Sequence, residues 1–209
     1  MIKIENTQVV GWEAAVRGMR NPMNSWDQSD SRMVNCGYDG WEKAFVVGAN
    51  DLDLMNRLRN AGTDHRKFMR MITVYVDLTA PFYWWKEFDT YKVGTVANSC
   101  STMHKIQSKK FTLDDFSHEH LDQFGISCLE MIIQNLNANR NYFNDSKNKD
   151  YWWQMIQLLP TSYNQKRTVM LNYEVLANIY KSRKAHKLDE WHDLCHWVEG
   201  LPYSELITG

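Results

Sequence analysis

The sequence predicts an α+β fold: one helix-rich domain with a small antiparallel sheet. Three observations carry that expectation. Apolar residues recur at helical spacing over most of the second half, as in Leu129, Ile132, Ile133 and Leu136. One stretch, Met71 to Leu78, is β-branched and partly alternating, as a strand requires. The 209 residues contain no internal repeat, and the length suits one domain with a sizeable core.

Taken in order, 8–20 reads as helical through Val9, Trp12, Ala15, Val16 and Met19. From Asn21 to Asn50 the periodicity fails, and Asn, Asp, Ser and Gly punctuate the chain, so an irregular loop region is expected there. Asp51 to Asn60 returns to helical spacing, with Gly62 as its stop. After the 71–78 strand, Thr79-Ala80-Pro81 offers a cap to the aromatic helix F-Y-W-W-K-E-F. A Gly-containing, turn-like stretch covers 91–103, and Thr112 caps a short segment. Helices are then expected over 121–142 and 151–159, the latter ended by Pro160, because a residue before proline avoids helical angles. A long helix over 165–184 and a last one over 188–199 complete the chain.

Composition narrows the function classes. Lys plus Arg number 24 and Asp plus Glu 25, so no overall field draws the protein to nucleic acid or to an anionic membrane. No apolar run approaches the ~20 residues that span a bilayer, and the N-terminus lacks the apolar core of a signal peptide. A soluble, cytoplasmic protein is expected. The four cysteines (Cys36, Cys100, Cys128, Cys195) are widely spaced without C-x-x-C, which argues against a disulfide framework or a zinc ribbon. Nine Trp, ten Tyr and eleven Met supply large apolar surface for a thick core, an oligomer interface or a pocket for a flat ligand.

The 165–184 segment is the most informative. Read as a helix at ~100° per residue, it puts Val169, Asn172, Leu176, Ile179 and Arg183 on one stripe. An amide and a permanent cation on a core-facing stripe need partners. Either Asn172 bonds nearby backbone and Arg183 answers terminal carbonyls, or the stripe faces a pocket in which Arg183 meets an anion. Lys166 and Arg167, near the expected helix start, form either a solvated pair or a phosphate site beside free amides. His192 and His196 stand at i and i+4 around Cys195 but lack the carboxylate of H-E-x-x-H, and ordinary helix histidines are the plainer reading. His118 and His120 show no further pattern. Cys100 has no identifiable partner base and reads as an inert thiol. The Trp84-Trp85 and Trp152-Trp153 pairs read as core.

Two stretches resemble the flavin-dependent thymidylate synthases (ThyX). Gly62 and His65, the strand through Val76, Ala80-Pro81, the aromatic helix and T-Y-K-V-G-T-V-A-N-S-C-S-T-M-H follow the order of the family's G-H-x-[ST]-x-x-x-H segment and its signature R-H-R-x-x-S-x-N-E-x-S-x-R-Y. With one inserted residue near Ala97, Lys92 falls on the last Arg of R-H-R, Thr95 on the first Ser, Asn98 on the Asn, Ser101 on the second Ser and His104 on the Tyr. The second stretch, Leu159-Pro160, Lys166, Asn172, Asn178, Arg183 and Glu190-Trp191, follows the family's N-x-R-x-x-x-N-x-x-x-x-R block and its flanks. The two cover about a third of the chain.

The resemblance implies a ThyX-like fold with FAD as cofactor, contacted by His65, Lys92, Asn98, Asn172 and Asn178. It implies a pyrimidine nucleotide bound by Ser101, Lys166 and Arg183, with Lys166 near the phosphate. In such enzymes methylenetetrahydrofolate and reduced nicotinamide (NADPH) support methylation of dUMP, without a protein nucleophile, in a homotetramer with flavin sites between subunits. No nucleic-acid or membrane partner follows from it. The chain departs from the signature at Thr90 and Tyr91 (first Arg and His), Ser99 (Glu) and Met103 (Arg). Glu174 stands where the second block has Arg. These losses leave two other readings: a non-catalytic nucleotide-binding protein on the same scaffold, or an enzyme acting on a related modified pyrimidine nucleotide.

Overall fold

The computed structural model describes residues 1–36 and 42–209. In chain order they form β1 (Lys3–Val10), α1 (Trp12–Arg20), β2 (Arg32–Cys36), β3 (Glu42–Val46) and α2 (Ala49–Asn60). Then come β4 (Thr73–Pro81), α3 (Phe82–Phe88), β5 (Val96–Ser99), α4 (Thr102–Lys105), α5 (Gln123–Ser146) and α6 (Lys149–Leu158). The last elements are β6 (Asn164–Asn172), α7 (Tyr173–Arg183), α8 (Asp189–Glu199) and α9 (Glu205–Thr208). Four strands make a sheet in the order β1-β4-β6-β5, and β2 pairs antiparallel with β3. The α+β class, helix-rich with a small antiparallel sheet, is therefore what the chain adopts.

The chain falls into two compact units. Unit one comprises Met1–Glu5, Asp77–Thr90 and Ala97–Thr168; unit two comprises Asn6–Val76, Tyr91–Val96 and Val169–Gly209. The core of unit one is the α5–α6 hairpin. Leu129, Ile133 and Leu136 of α5 and Met155 of α6 close over Ile106, Phe111 and Phe116. Asp122 and Asn148 cap the two helices through their side chains, accepting from Gly125 N and Asp150 N. Trp84, Trp85 and Phe88 of α3 form a second buried cluster, with ring centroids 4.9–5.3 Å apart. The Trp84-Trp85 pair is thus core.

Unit two is built around α7, whose Tyr173, Val175, Leu176, Ala177 and Ile179 are buried, with Trp191, Leu194 and Val198 of α8 and Leu206 of α9 also in its core. Gly11 joins β1 to α1 at φ 96°, and a Cβ there would lie 2.0 Å from the Met71 carbonyl oxygen. Gly11→Ala is therefore expected to cost about 2–3 kcal/mol, read as a fall in thermal midpoint of roughly 5–10 °C.

Several sequence expectations need correction. Residues 165–184 are not one helix: 164–172 is β6, with Gln165, Val169 and Leu171 buried in alternation, and only 173–183 is helical. The i, i+3, i+7 coincidence of Val169, Asn172 and Leu176 imitated a helix face, while the period of two in Gln165-x-x-x-Val169-x-Leu171 was the controlling pattern. The 8–20 helix is split at Gly11 into β1 and α1. Within 21–50 lie two short 3-10 turns and the β2–β3 hairpin, so the region is not irregular throughout; residues 37–41 of it lie outside the described residues. The 71–78 strand runs instead from Thr73 to Pro81, leaving Pro81 as the residue before α3 and Thr79 and Ala80 in the strand. The 91–103 turn contains β5, and α9 follows the helix expected to be last.

Candidate functional site

Unit one holds a cavity of about 500 Å³. One wall is the 99–101 segment held against β6: Cys100 N donates to the Lys166 carbonyl at 2.9 Å, and Gln165 Nε2 donates to the Cys100 carbonyl at 2.8 Å. Ser101 and Lys166, chosen from separate stretches of sequence, thereby line the same cavity. Ser101 also caps α4, its hydroxyl accepting from His104 N at 3.1 Å. Lys166 Nζ lies 3.1 Å from Asp77 and 3.6 Å from Glu5. The hydrogen bond to Asp77 leads the interactions that raise the Lys166 amine above its ordinary range. Lys166 and Arg167 lie in β6, so the expectation of a helix start beside them is corrected; Arg167 instead bonds Asp89 at 2.7 Å and stacks over Trp85 at 4.1 Å. The floor of the cavity is aromatic, from Phe111 and Tyr163. Three further lysines, Lys105, Lys109 and Lys110, complete its rim. Asn98 is exposed on β5.

The other site candidates belong to unit two. Asn172 is not on a helix face but at the N-cap of α7, its Oδ1 accepting from Val175 N at 3.0 Å. Its amide nitrogen looks onto Gly94, which has φ 77°; a Cβ on Gly94 would sit 2.8 Å from Asn172 Nδ2. The neighbouring Thr95 hydroxyl oxygen is buried and has no hydrogen-bond partner. Lys92 and Asn178 are exposed, and Asn178 Oδ1 accepts from Arg66 Nη2 at 3.4 Å. His65 is exposed just before the 3-10 turn Arg66–Arg70 and lines a larger cavity of about 1260 Å³, shared with Arg20, Asp30, Arg57 and Lys67.

Arg183 is held by aromatic rings. Its Nε donates to Tyr91 Oη at 2.9 Å, and its guanidinium carbon lies 4.6 Å from the Trp191 ring centroid and 5.6 Å from that of Tyr91. Tyr91, a departure from the signature, is therefore a partner of the cation at the end of the second block. Glu174, the reversed charge, is equally engaged. Its Oε1 accepts from Arg66 Nε at 3.1 Å and its Oε2 from Arg70 Nε. Burial pushes the Glu174 carboxyl upward, but hydrogen bonds from Arg70 and Arg66 outweigh it and hold the group below the usual carboxylate range.

Sequence reasoning missed Lys105, Lys109 and Lys110 at the cavity, Arg66 and Arg70 at Glu174, and Tyr91 with Trp191 at Arg183. A signal existed for the first set: K-x-x-x-K-K follows the signature directly. In α8, His196 is 3.5 Å from Glu199 and burial pushes the Cys195 thiol up to about 11; no group of three or more His, Cys, Asp or Glu that could hold a metal occurs among the described residues.

No family model matches the chain, and no curated protein matches its sequence. Solved structures match almost all of it. A flavin-dependent thymidylate synthase ThyX from Helicobacter pylori, complexed with FAD and dUMP, has TM-score 0.67 and 17% identity over 98% of this chain and 97% of its own. A UMP/dUMP methylase, PolB from Streptomyces cacaoi, bound with 5-Br dUMP, has TM-score 0.63 and 12% identity over 100% of this chain and 94% of its own. The chain therefore has the ThyX fold. No helix among the described residues is long and apolar enough to cross a membrane.

Proposed function

We propose that the chain binds a pyrimidine nucleoside monophosphate and a flavin, and that it methylates the pyrimidine ring of dUMP or a related nucleotide. The carrying observation is that Ser101 and Lys166, carried over from two separate motif stretches as nucleotide residues, line one aromatic-floored, lysine-rimmed cavity. An apolar floor for a ring and convergent cations for a phosphate are what such a ligand needs. About 500 Å³ is within the usual range for small-molecule sites. Similar solved structures were obtained with dUMP and FAD, or with 5-Br dUMP.

The residues of unit two fit a flavin. Gly94 lets the Asn172 amide approach the backbone more closely than a Cβ would allow, and Thr95 presents a buried hydroxyl without a partner. Both are suited to a ligand edge that supplies hydrogen-bonding atoms. His65, Lys92, Asn172 and Asn178 are the residues proposed to hold it. When bound, flavin supplies the hydride chemistry, with NADPH and methylenetetrahydrofolate as the sources of hydride and carbon. The chain's own residues bind and orient: Lys166 is proposed to meet the nucleotide, and Ser101 to fix its position. A homotetramer is the assembly proposed with this reading, in the cytoplasm.

An absorption spectrum of the purified protein before and after adding FAD tests the proposal. Flavin bands that co-purify or saturate on titration are expected, followed by release of the C5 hydrogen of dUMP when NADPH and methylenetetrahydrofolate are supplied. Absence of flavin uptake at high concentration, with dUMP still bound, favours instead a non-catalytic nucleotide binder. The replacement of signature residues by Ser99 and Met103 is the observation on that side.

A further inference from the structure

Four lysines and one carboxylate line the cavity of unit one. Two of the lysines are already paired with acids, which weakens without cancelling what they offer an anion. Lys109 Nζ is 2.8 Å from Asp115, the carboxylate that also closes the capping box on Thr112, and Lys166 is shared between Asp77 and Glu5. Lys105, in the last turn of α4, and Lys110 have no carboxylate partner among the described residues. The cavity's uncompensated charge therefore resides on Lys105 and Lys110, and neither falls on a position of the signature. The lining is tied together by the Cys100–Lys166 and Gln165–Cys100 hydrogen bonds, and Ser101, Thr102 and Ser108 also belong to it.

Met103 bears on these facts. It stands where the resemblance implies an arginine at the substrate phosphate, and it is an exposed thioether with no charge to offer and is not among the residues that line the cavity. A dianionic phosphomonoester is held best by cations not already paired with acids, since an ion pair shared with a carboxylate offers less net attraction. Ammonium groups on flexible stems reach such a ligand as point charges from several directions.

We infer that Lys105 and Lys110 supply the phosphate-binding charge that Met103 does not, so that the cavity selects a pyrimidine nucleoside monophosphate over the uncharged nucleoside. The inference rests on the nucleotide reading above and assigns two residues that the motif comparison does not contain. The two lysines act as a pair on one anion, and Lys109, held by Asp115, contributes less.

Titration calorimetry with dUMP, deoxyuridine and inorganic phosphate, at low and moderate salt, tests it on the full chain. For the Lys105→Ala, Lys110→Ala double variant, dUMP affinity is expected to fall about 10- to 100-fold while deoxyuridine affinity stays unchanged. The salt dependence of dUMP binding should also flatten. Lys109→Ala is expected to change dUMP affinity by less than about threefold, because its charge is already answered. A double variant that keeps the full preference for dUMP over deoxyuridine overturns the inference and leaves the nucleotide reading standing. If the wild-type chain binds inorganic phosphate but no pyrimidine compound, and the double variant loses phosphate, the nucleotide reading fails and the charge assignment survives. Wild-type protein that binds none of the three probes overturns both.

Discussion

Asp51→Ala is expected to lower the unfolding free energy by about 3–5 kcal/mol, because it strands a buried guanidinium. Asp51 is fully buried near the start of α2, and Arg20, 4% exposed, is the last residue of α1. Arg20 Nε donates to Asp51 Oδ1 at 2.6 Å. The other carboxylate oxygen accepts from the Ser29 and Ser31 hydroxyls, each at 2.6 Å, and from Ser31 N at 3.1 Å. Arg20 spends its remaining nitrogens on the Ser25 and Gln28 carbonyls, both at 3.1 Å. Every member of the network is satisfied, so removing one leaves several polar groups without partners.

The same carboxylate sets a pH signature. Burial pushes the Asp51 carboxyl up, and hydrogen bonds from Ser29, Ser31 and Arg20 more than offset this, holding it below its ordinary 3.8. A depressed carboxyl contributes stability that is complete above the unfolded-state value and is lost as pH falls through the folded one. The gap between wild type and Asp51→Ala should therefore be largest near neutrality and shrink below about pH 4. Urea unfolding at several pH values reads both effects. A gap that is small at pH 7 would mean that the pair does not stabilise the fold, and a gap that does not close in acid would mean that its contribution does not depend on the ionised carboxylate.

What could be read in advance divides by the range of the interaction. The caps and stops were legible, since Thr112 and Pro160 act within a few residues of themselves. The order of elements was also legible, because Gly62 with His65, a strand, an aromatic helix and a Ser-containing turn follow one another along the chain. The β6 strand was hidden: Asn172 looked like a polar residue on a stripe, whereas it is the stop between a strand and a helix. Its capping role was visible only as a residue preference, and the helical coincidence of Val169, Leu176 and Ile179 outweighed it. Asp51 carries no mark of its importance in sequence, because its serine partners lie 20 and 22 residues away and its arginine 31. The lysines of the cavity were missed: K-x-x-x-K-K marks a basic cluster, but only the folded chain brings 105–110 to the same cavity as 166.

Glu174 is the sharpest case of distance concealing meaning, and it yields a prediction about reversal. Compared with the family's motif alone, an acid in place of arginine looks like damage that one substitution could repair. Glu174→Arg is instead expected to destabilise the chain by about 3–4 kcal/mol, since charge-assisted bonds to a buried carboxylate are replaced by repulsion. Arg66 and Arg70 lie 108 and 104 residues from Glu174 in sequence, and both donate to it. A third guanidinium at the start of α7 would also oppose the positive end of the helix, where the native carboxylate is favoured. Glu174→Gln keeps the shape and loses only the charge, so a smaller loss of about 1–2 kcal/mol is expected from it. The compensating triple variant Glu174→Arg, Arg66→Glu, Arg70→Glu restores opposite charges, and it should recover most of what Glu174→Arg loses. Thermal unfolding of the set decides the matter. If Glu174→Arg is as stable as wild type, the two arginines are not committed to Glu174 and are available for a ligand. If it unfolds early and the triple variant recovers, the reversed charge is a built pairing, and the chain's departure from the motif has a structural cause in the segment that follows His65.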